Sequence, residues 1–336
     1  MQAQPVLTLP KPVNTVIRCC LQKSESKNIG FKQHASTSNL GLFLVIGVAV
    51  ACLLFAACSP KDETGYSPGY STDPSGRQEA LLFAVHPLYN PQRLDEIYGP
   101  LVHYLNKNIS GAKFQLVASR SYAEFEKRLY NRQFHFALPN PYQTINSLPH
   151  GYRVFGKWGD DRQFRGIIII RKDSDIKEVA DLKGKTVSFP APTALAATMM
   201  PLYYLHTHGL DVNRDIQRLF AGSQESSIMN VYLRKSAAGA TWPPPWKVFT
   251  DRNPKIAAEL MVKWETSPLI NNGLVVRDDV SPEIVKKVAS LLFGLQTHEE
   301  GRRLLAANPL AWFEPATNET YQPVYEFMEK YNATVH

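Results

Sequence analysis

The chain has 336 residues with 37 Lys plus Arg against 30 Asp plus Glu, but residues 1–58 hold five of those bases and one acid. The remainder therefore carries 32 basic and 29 acidic side chains and is close to balanced, and no basic run interleaves with aromatics, which excludes a nucleic-acid surface. All four cysteines (Cys19, Cys20, Cys52 and Cys58) fall within the first 58 residues, so the rest has no disulfide framework, thiolate nucleophile or cysteine metal site.

Residues 41–57 form an uncharged apolar run of 17 residues behind a basic leader, ending in Ala56-Ala57 just before Cys58. An apolar run closed by small residues reads as an export signal. Small residues before a lone cysteine resemble the lipobox of bacterial lipoproteins. That resemblance implies residues 1–58 as a lipoprotein signal peptide with a long leader, and a diacylglycerol on Cys58. The rest is then expected on the periplasmic or cell-surface side of the membrane, held by the lipid. An uncleaved signal anchor is the alternative, although 17 residues fall short of the roughly 20 needed to span a bilayer.

Residues 59–79, rich in Ser, Gly, Pro and charge, cannot bury enough apolar surface to order themselves and read as a flexible tether. Structure is expected from residue 80. LLFAV (81–85) is a buried-strand run, and after Pro91 a helical period links Leu94, Ile97, Tyr98, Leu101, Tyr104 and Leu105. A strand over 113–118, a helix over 122–131 and a strand over 134–139 continue the alternation, which argues for a largely parallel sheet with helices on both faces.

GIIIIRKDS (166–174) and GLVVRDDVS (273–281) share one pattern on either side of a second α/β block. They read as a chain that crosses to another lobe and later returns, or as two ordinary sheet strands. The block between them starts with a Gly turn and strand in DLKGKTVSF (181–189), then a helix ended by Gly209. A strand over 215–220, a loop and helix over 221–236, and a strand over 237–242 running into a Pro-rich turn complete it. Beyond the return, Ser281, Pro282 and Glu283 mark the start of a helix, and 324–331 is a closing helix.

DLKGKTVSF-x-x-P ahead of a helix, SPLI-x-x-G-x-VVR, and the segment from Tyr98 to Leu105 together resemble the substrate-binding lipoproteins of ABC importers for phosphate, phosphite and phosphonate, over about residues 80–332. The resemblance implies an α/β, two-lobed type II periplasmic-binding-protein fold with a two-strand hinge. Lobe 1 is expected from 80–167 and 274–336, and lobe 2 from 168–273. It implies a small anionic solute clamped between the lobes, an ABC permease in the inner membrane as partner, no cofactor and no catalysis. A sensory solute-binding subunit and a catalytic relative of the pyrimidine-biosynthesis type are the alternatives. Against catalysis, the sequence holds no nucleophile with an adjacent base, no phosphate loop with lysine and no metal-ligand spacing.

The family's anion clamp, a Ser/Thr-rich helix start, corresponds to residues 192–196, where only Thr193 keeps a hydroxyl. Its two tyrosines correspond to Tyr122 and Phe164, and its Gly-x-His-Glu loop to Gly222-Ser223-Gln224-Glu225, which makes Ser223 and Glu225 candidates. Its acidic contacts are replaced by Ala237-Ala238-Gly239 and by Trp242-Pro243-Pro244-Pro245-Trp246, so an amine-bearing phosphonate is disfavoured. Thr193 reads either as a ligand contact or as a helix N-cap. Trp242 and Trp246 read as a ligand wall or as core. Tyr122 reads as contact or rim, and Arg120 as an anion partner or a solvated side chain. His86 and Asn140, just past strand ends, are further candidates for the cleft.

Overall fold

The computed structural model describes residues 79–306 and 312–335; the apolar run, Cys58 and residues 59–78 of the tether lie outside them. The chain opens with β1 (Leu81–Val85), α1 (Pro91–Asn108), β2 (Phe114–Val117), α2 (Tyr122–Tyr130), β3 (Phe136–Leu138), α3 (Pro141–Ser147) and β4 (Tyr152–Trp158). It then passes through 159–166 to β5 (Ile167–Arg171) and β6 (Lys185–Phe189). A π-helical turn over Leu195–Met199 leads into α4 (Met200–Thr207), followed by β7 (Ile216–Phe220), α5 (Gln224–Tyr232) and β8 (Ala238–Thr241). Next come α6 (Pro243–Arg252), α7 (Pro254–Ala257) and β9 (Leu260–Glu265). Residues 266–272 return the chain to β10 (Gly273–Arg277), α8 (Pro282–Gly294), α9 (Glu299–Ala306), β11 (Phe313–Glu314) and α10 (Gln322–Val335).

Two sheets result, one per lobe. The first has six strands in the order β11-β4-β10-β3-β1-β2, the second five in the order β7-β6-β8-β5-β9. Both are mixed rather than largely parallel, and the crossings explain why. β4 runs toward the second lobe and β10 comes back from it, so the two pair antiparallel; β5 and β9 do the same in the other sheet. The remaining strands follow: β1, β2 and β3 are mutually parallel and oppose β10, while β6, β7 and β8 are parallel and β8 opposes β5. The carboxyl ends of eight strands, β1 to β4 in one sheet and β6 to β9 in the other, therefore face the junction of the lobes. Open α/β sheets bind ligands at such ends.

β5 is the clearest case of sequence dictating packing. Ile167 to Ile170 are all buried, which suits an uninterrupted aliphatic run covered on both faces. Strand alternation divides them: Ile168 and Ile170 enter the main core, while Ile167 and Ile169 pack with Ile228, Val231 and Phe249 in a smaller cluster.

The Pro-rich segment expected to be a turn is instead the opening of α6, with Trp242 extended at the N-cap and Pro243, Pro244 and Pro245 in the first turn. First-turn residues have no intrahelical acceptor for an N–H, so prolines lose nothing there and their fixed φ already suits the helix. The two crossings are tied to each other. Asp161 accepts from Asn271 N at 2.9 Å and from Lys157 at 2.9 Å, Asn271 Nδ2 donates to Gly159 O at 3.0 Å, and the Tyr321 hydroxyl donates to Asn271 O at 2.7 Å.

Candidate functional site

A narrow cavity of about 10 Å³, room for about one water, lies where the two lobes meet, lined by His86, Tyr122, Asn140, Phe164, Ala194–Ala197, Gln224, Trp242 and Asn272. His86 follows β1, Tyr122 opens α2 beyond β2, and Asn140 follows β3. From the other lobe, the π-helical turn follows β6, Gln224 opens α5 beyond β7, and Trp242 follows β8. Phe164 and Asn272 belong to the two crossings. Each of these residues owes its place to the strand direction just derived.

The polar groups are largely engaged with one another. Asn140 accepts from Gln143 N at 3.0 Å as the N-cap of α3, and donates across the lobes to Thr193 O at 2.9 Å. Gln224 donates to the Tyr122 hydroxyl at 3.3 Å, also across the lobes, and accepts from the Thr241 hydroxyl at 2.7 Å. His86 is 2% exposed, with Nδ1 2.9 Å from Leu138 O. Burial drives its pKa down to about 4, so the ring is neutral at physiological pH. Burial likewise pushes the Tyr122 phenol up to about 12 and keeps it un-ionised. The amide of Asn272, 0% exposed, has a partner at neither Oδ1 nor Nδ2 among the described residues.

One wall is aromatic. Trp242 stacks on Trp158 with centroids 6.5 Å apart and meets Phe164 edge-on at 5.4 Å, while Trp158 stacks in turn on Tyr98 at 6.3 Å. Such pairs contribute about 0.5–1.5 kcal/mol each beyond area burial, so the wall is rigid.

Five residues expected from the sequence thus share the cavity: His86, Tyr122, Asn140, Phe164 and Trp242. Ser223 and Glu225 line a neighbouring, larger interlobe cavity of about 80 Å³ with Tyr89, Arg93, Phe249 and Arg252, and Gln224 borders both cavities. The Ser223 hydroxyl caps α5 by accepting from Ser226 N at 3.1 Å. Thr193 and Trp246 do not border the central cavity. The N-cap of the helical turn is Ala194, one residue past Thr193, and Thr193 uses its carbonyl on Asn140. Trp246 stacks on Phe249 at 6.0 Å, because the prolines turn it into the side of a helix facing the smaller core. Arg120 is exposed.

Gln224 and Asn272 were not foreseen. Both carried a signal: Gln224 replaces the histidine of the Gly-x-His-Glu loop, and Asn272 is the second of two consecutive asparagines inside SPLI-x-x-G. Among the described residues no group of three or more His, Cys, Asp and Glu is arranged to hold a metal ion.

The fold is shared with solved binding proteins. A binding protein component of an ABC phosphonate transporter from Pseudomonas aeruginosa superposes with a TM-score of 0.70 at 18% identity, over 76% of this chain and 88% of that one. PhnD1 from Prochlorococcus marinus, solved with methylphosphonate, superposes with a TM-score of 0.69 at 18% identity, over 76% and 99% of the two chains. XAC2383 from Xanthomonas citri, solved with chloride, follows at 0.62 and 15% identity, over 76% and 98%. The match that goes beyond fold is to the family described as ABC transporter, phosphonate, periplasmic substrate-binding protein, over residues 83–321. That family is one of transport proteins rather than enzymes, and with that span matched, the chain belongs to the family of periplasmic substrate-binding proteins of ABC phosphonate transporters.

Proposed function

We propose that the protein is a lipid-anchored extracytoplasmic receptor that captures a small oxyanion, of the phosphate, phosphite or phosphonate kind, and hands it to an ABC permease by closing its lobes. The observation that carries this reading is the interlobe cavity, with groups from both lobes and both crossings around it. Helix starts from each lobe border it: Tyr122 and Gln224 are first residues of α2 and α5, and the turn beginning at Leu195 leads into α4. First-turn N–H groups lack acceptors within their helix and, with the helix dipole, favour an anion. Tyr122, Phe164 and Trp242 would pack on the ligand's non-acidic part, and His86 would border it. Asn140 would act mainly as a latch to Thr193. Ser223 and Glu225 would shape the entrance. The lobes would be 80–167 with 274–336, and 168–273, a division that sheet membership supports to within one residue, since Ile167 pairs in the second sheet and Gly273 in the first. The anchor would be Cys58, outside the described residues.

Calorimetry with phosphate, phosphite, methylphosphonate and an arylphosphonate tests the ligand class. At least one is expected to bind below millimolar concentration, and 2-aminoethylphosphonate is expected to show no advantage over methylphosphonate. Absence of binding by every one of these anions would remove the oxyanion assignment.

A further inference from the structure

The residues around the central cavity include no Asp, Glu, Lys or Arg. Two unsatisfied acceptors are there instead. A carbonyl only accepts hydrogen bonds, so the 2.9 Å contact with Leu138 O requires the ring hydrogen of His86 to sit on Nδ1. Nε2 of the neutral ring is then a bare lone pair, and it has no partner among the described residues. Asn272 adds Oδ1, a second acceptor without a partner, and Nδ2, a donor without one, on a fully buried side chain. Buried amides without partners are rare in folded proteins, since the group loses water and gains nothing. The other amides of the cavity, Asn140 and Gln224, are already bonded at both ends.

We propose that the cavity selects ligands that bring a hydrogen-bond donor of their own, singly protonated oxyanions such as hydrogen phosphonate, reading the ligand's one O–H with Nε2 of His86 while the unpartnered Asn272 amide offers Nδ2 to an ionised oxygen. This rests on the oxyanion reading above and names the protonation state that the same site takes. A fully ionised oxyanion presents acceptors only and would leave Nε2 of His86 facing a lone pair. It would also carry two charges into a cavity with no cation to balance them. A hydrogen phosphonate supplies the one O–H that Nε2 of His86 lacks. Its ionised oxygens meet Nδ2 of Asn272, the Tyr122 hydroxyl and the N–H groups of the turn at Leu195–Ala197, the Ala194 N–H being bonded to Ala191 O.

The surroundings keep this discrimination with the ligand rather than the protein. Tyr122 and Phe125 of α2 face the His86 ring, and β3 contributes Leu138 O. Glu126, which acts on Tyr122 electrostatically, is bonded to Gln143 at 2.9 Å, and the second lobe contributes the neutral Gln224. At the crossings Lys157 is shared between Asp161 and Glu314. Burial also holds His86 neutral down to about pH 4.

Calorimetry on the purified protein at about pH 5.5 compares methylphosphonate, a monoanion with one O–H, with methanesulfonate, a monoanion of the same shape with none. Methylphosphonate is expected to bind at least about tenfold more tightly, the value of one good hydrogen bond, and to weaken at least about tenfold near pH 9, where it is a dianion. His86→Phe is expected to bring the two ligands to nearly equal affinity. Should that variant fail to fold, Asn272→Leu carries the test. It removes the unbonded buried amide, so the ligand-free protein is expected to melt higher while methylphosphonate binding is lost; a purely structural Asn272 would give a lower melting point. Equal wild-type affinities for the two ligands overturn the donor requirement and leave the oxyanion reading intact. Retention of wild-type affinity by Asn272→Leu removes Asn272 from the proposal. Failure of both ligands to bind overturns the oxyanion reading and this inference with it.

Discussion

The side-chain amide of Gln224 donates to the hydroxyl of Tyr122 at 3.3 Å, from the first turn of a helix in one lobe to the first turn of a helix in the other. Its carbonyl is held by the Thr241 hydroxyl at 2.7 Å, so the amide has one orientation and the cross-lobe bond is directed. Gln224→Leu removes that bond and leaves Thr241 unbonded in a buried site, at a cost of about 1–3 kcal/mol. The lobes are expected to separate more often in the ligand-free protein. Small-angle scattering should give a larger radius of gyration than the wild type, and ligand affinity should fall with the closed fraction. A variant that scatters and binds like the wild type would show that Gln224 is no latch.

Acid should loosen the protein through His86. Its folded pKa of about 4 lies below the unfolded value of 6.5, so the unfolded chain takes up the proton first. Stability from this residue is therefore complete above about pH 6.5, falls between 6.5 and 4, and is level below that. At about 1.4 kcal/mol per pKa unit the loss is of order 3 kcal/mol. Asp173, held near 2 by Arg171 and Arg234, has a depressed pKa, and its contribution disappears only below about pH 4. Urea titrations at pH 7 and pH 4.5 should show a drop in unfolding free energy that is much smaller in His86→Phe. An equal drop in both proteins would assign the acid sensitivity elsewhere.

The fold was legible where local pattern and packing agree. LLFAV became β1 because a short apolar run has one stable use in an α/β protein, and GIIIIR and GLVVR became the first strands after each crossing. β9 was missed because an edge strand keeps much of its surface in water: Leu260–Glu265 has only Leu260 buried and reads as a mixed polar segment. Positions just past strand ends pointed to His86 and Asn140, and the family resemblance pointed to Tyr122 and Trp242; all four border the cavity. Helix phase was not legible. Whether the turn begins at Thr193 or Ala194, and whether three prolines bend the chain or start a helix, decides which side chains face the ligand. Asn272 stands out only in three dimensions, because being without a partner is a property of its neighbours.

Anchoring at Cys58 can be tested apart from the fold. Wild-type protein is expected to incorporate radioactive palmitate and to shift in mobility on processing. Cys58→Ala should leave an unprocessed precursor without label. If the wild type carries no label, the apolar run acts as a signal anchor.

Trp242 and Thr193 should respond in the opposite order to that expected from a hydroxyl-based anion clamp. Trp242 is 3% exposed, stacked on Trp158 and edge-on to Phe164, and it borders the cavity. Trp242→Ala empties that wall, with an expected stability loss of about 3–5 kcal/mol for a buried tryptophan. Binding should weaken by a further 2 kcal/mol or so, the usual cost of losing an aromatic anchor. Trp242→Phe, which keeps an aromatic face, should restore most of the stability and part of the affinity. Thr193 contributes its backbone carbonyl to Asn140, and alanine has the same carbonyl. Thr193→Ala should therefore change stability and binding by less than about 0.5 kcal/mol, as a surface substitution does. Asn140→Ala, which removes both the cross-lobe bond and the cap of α3, should cost about 1–2 kcal/mol in stability. Thermal melts and calorimetry on the four variants check the series. A strong binding loss in Thr193→Ala with Trp242→Phe unaffected would move the anion contact to the threonine hydroxyl and require the helical turn to start one residue earlier when ligand is bound.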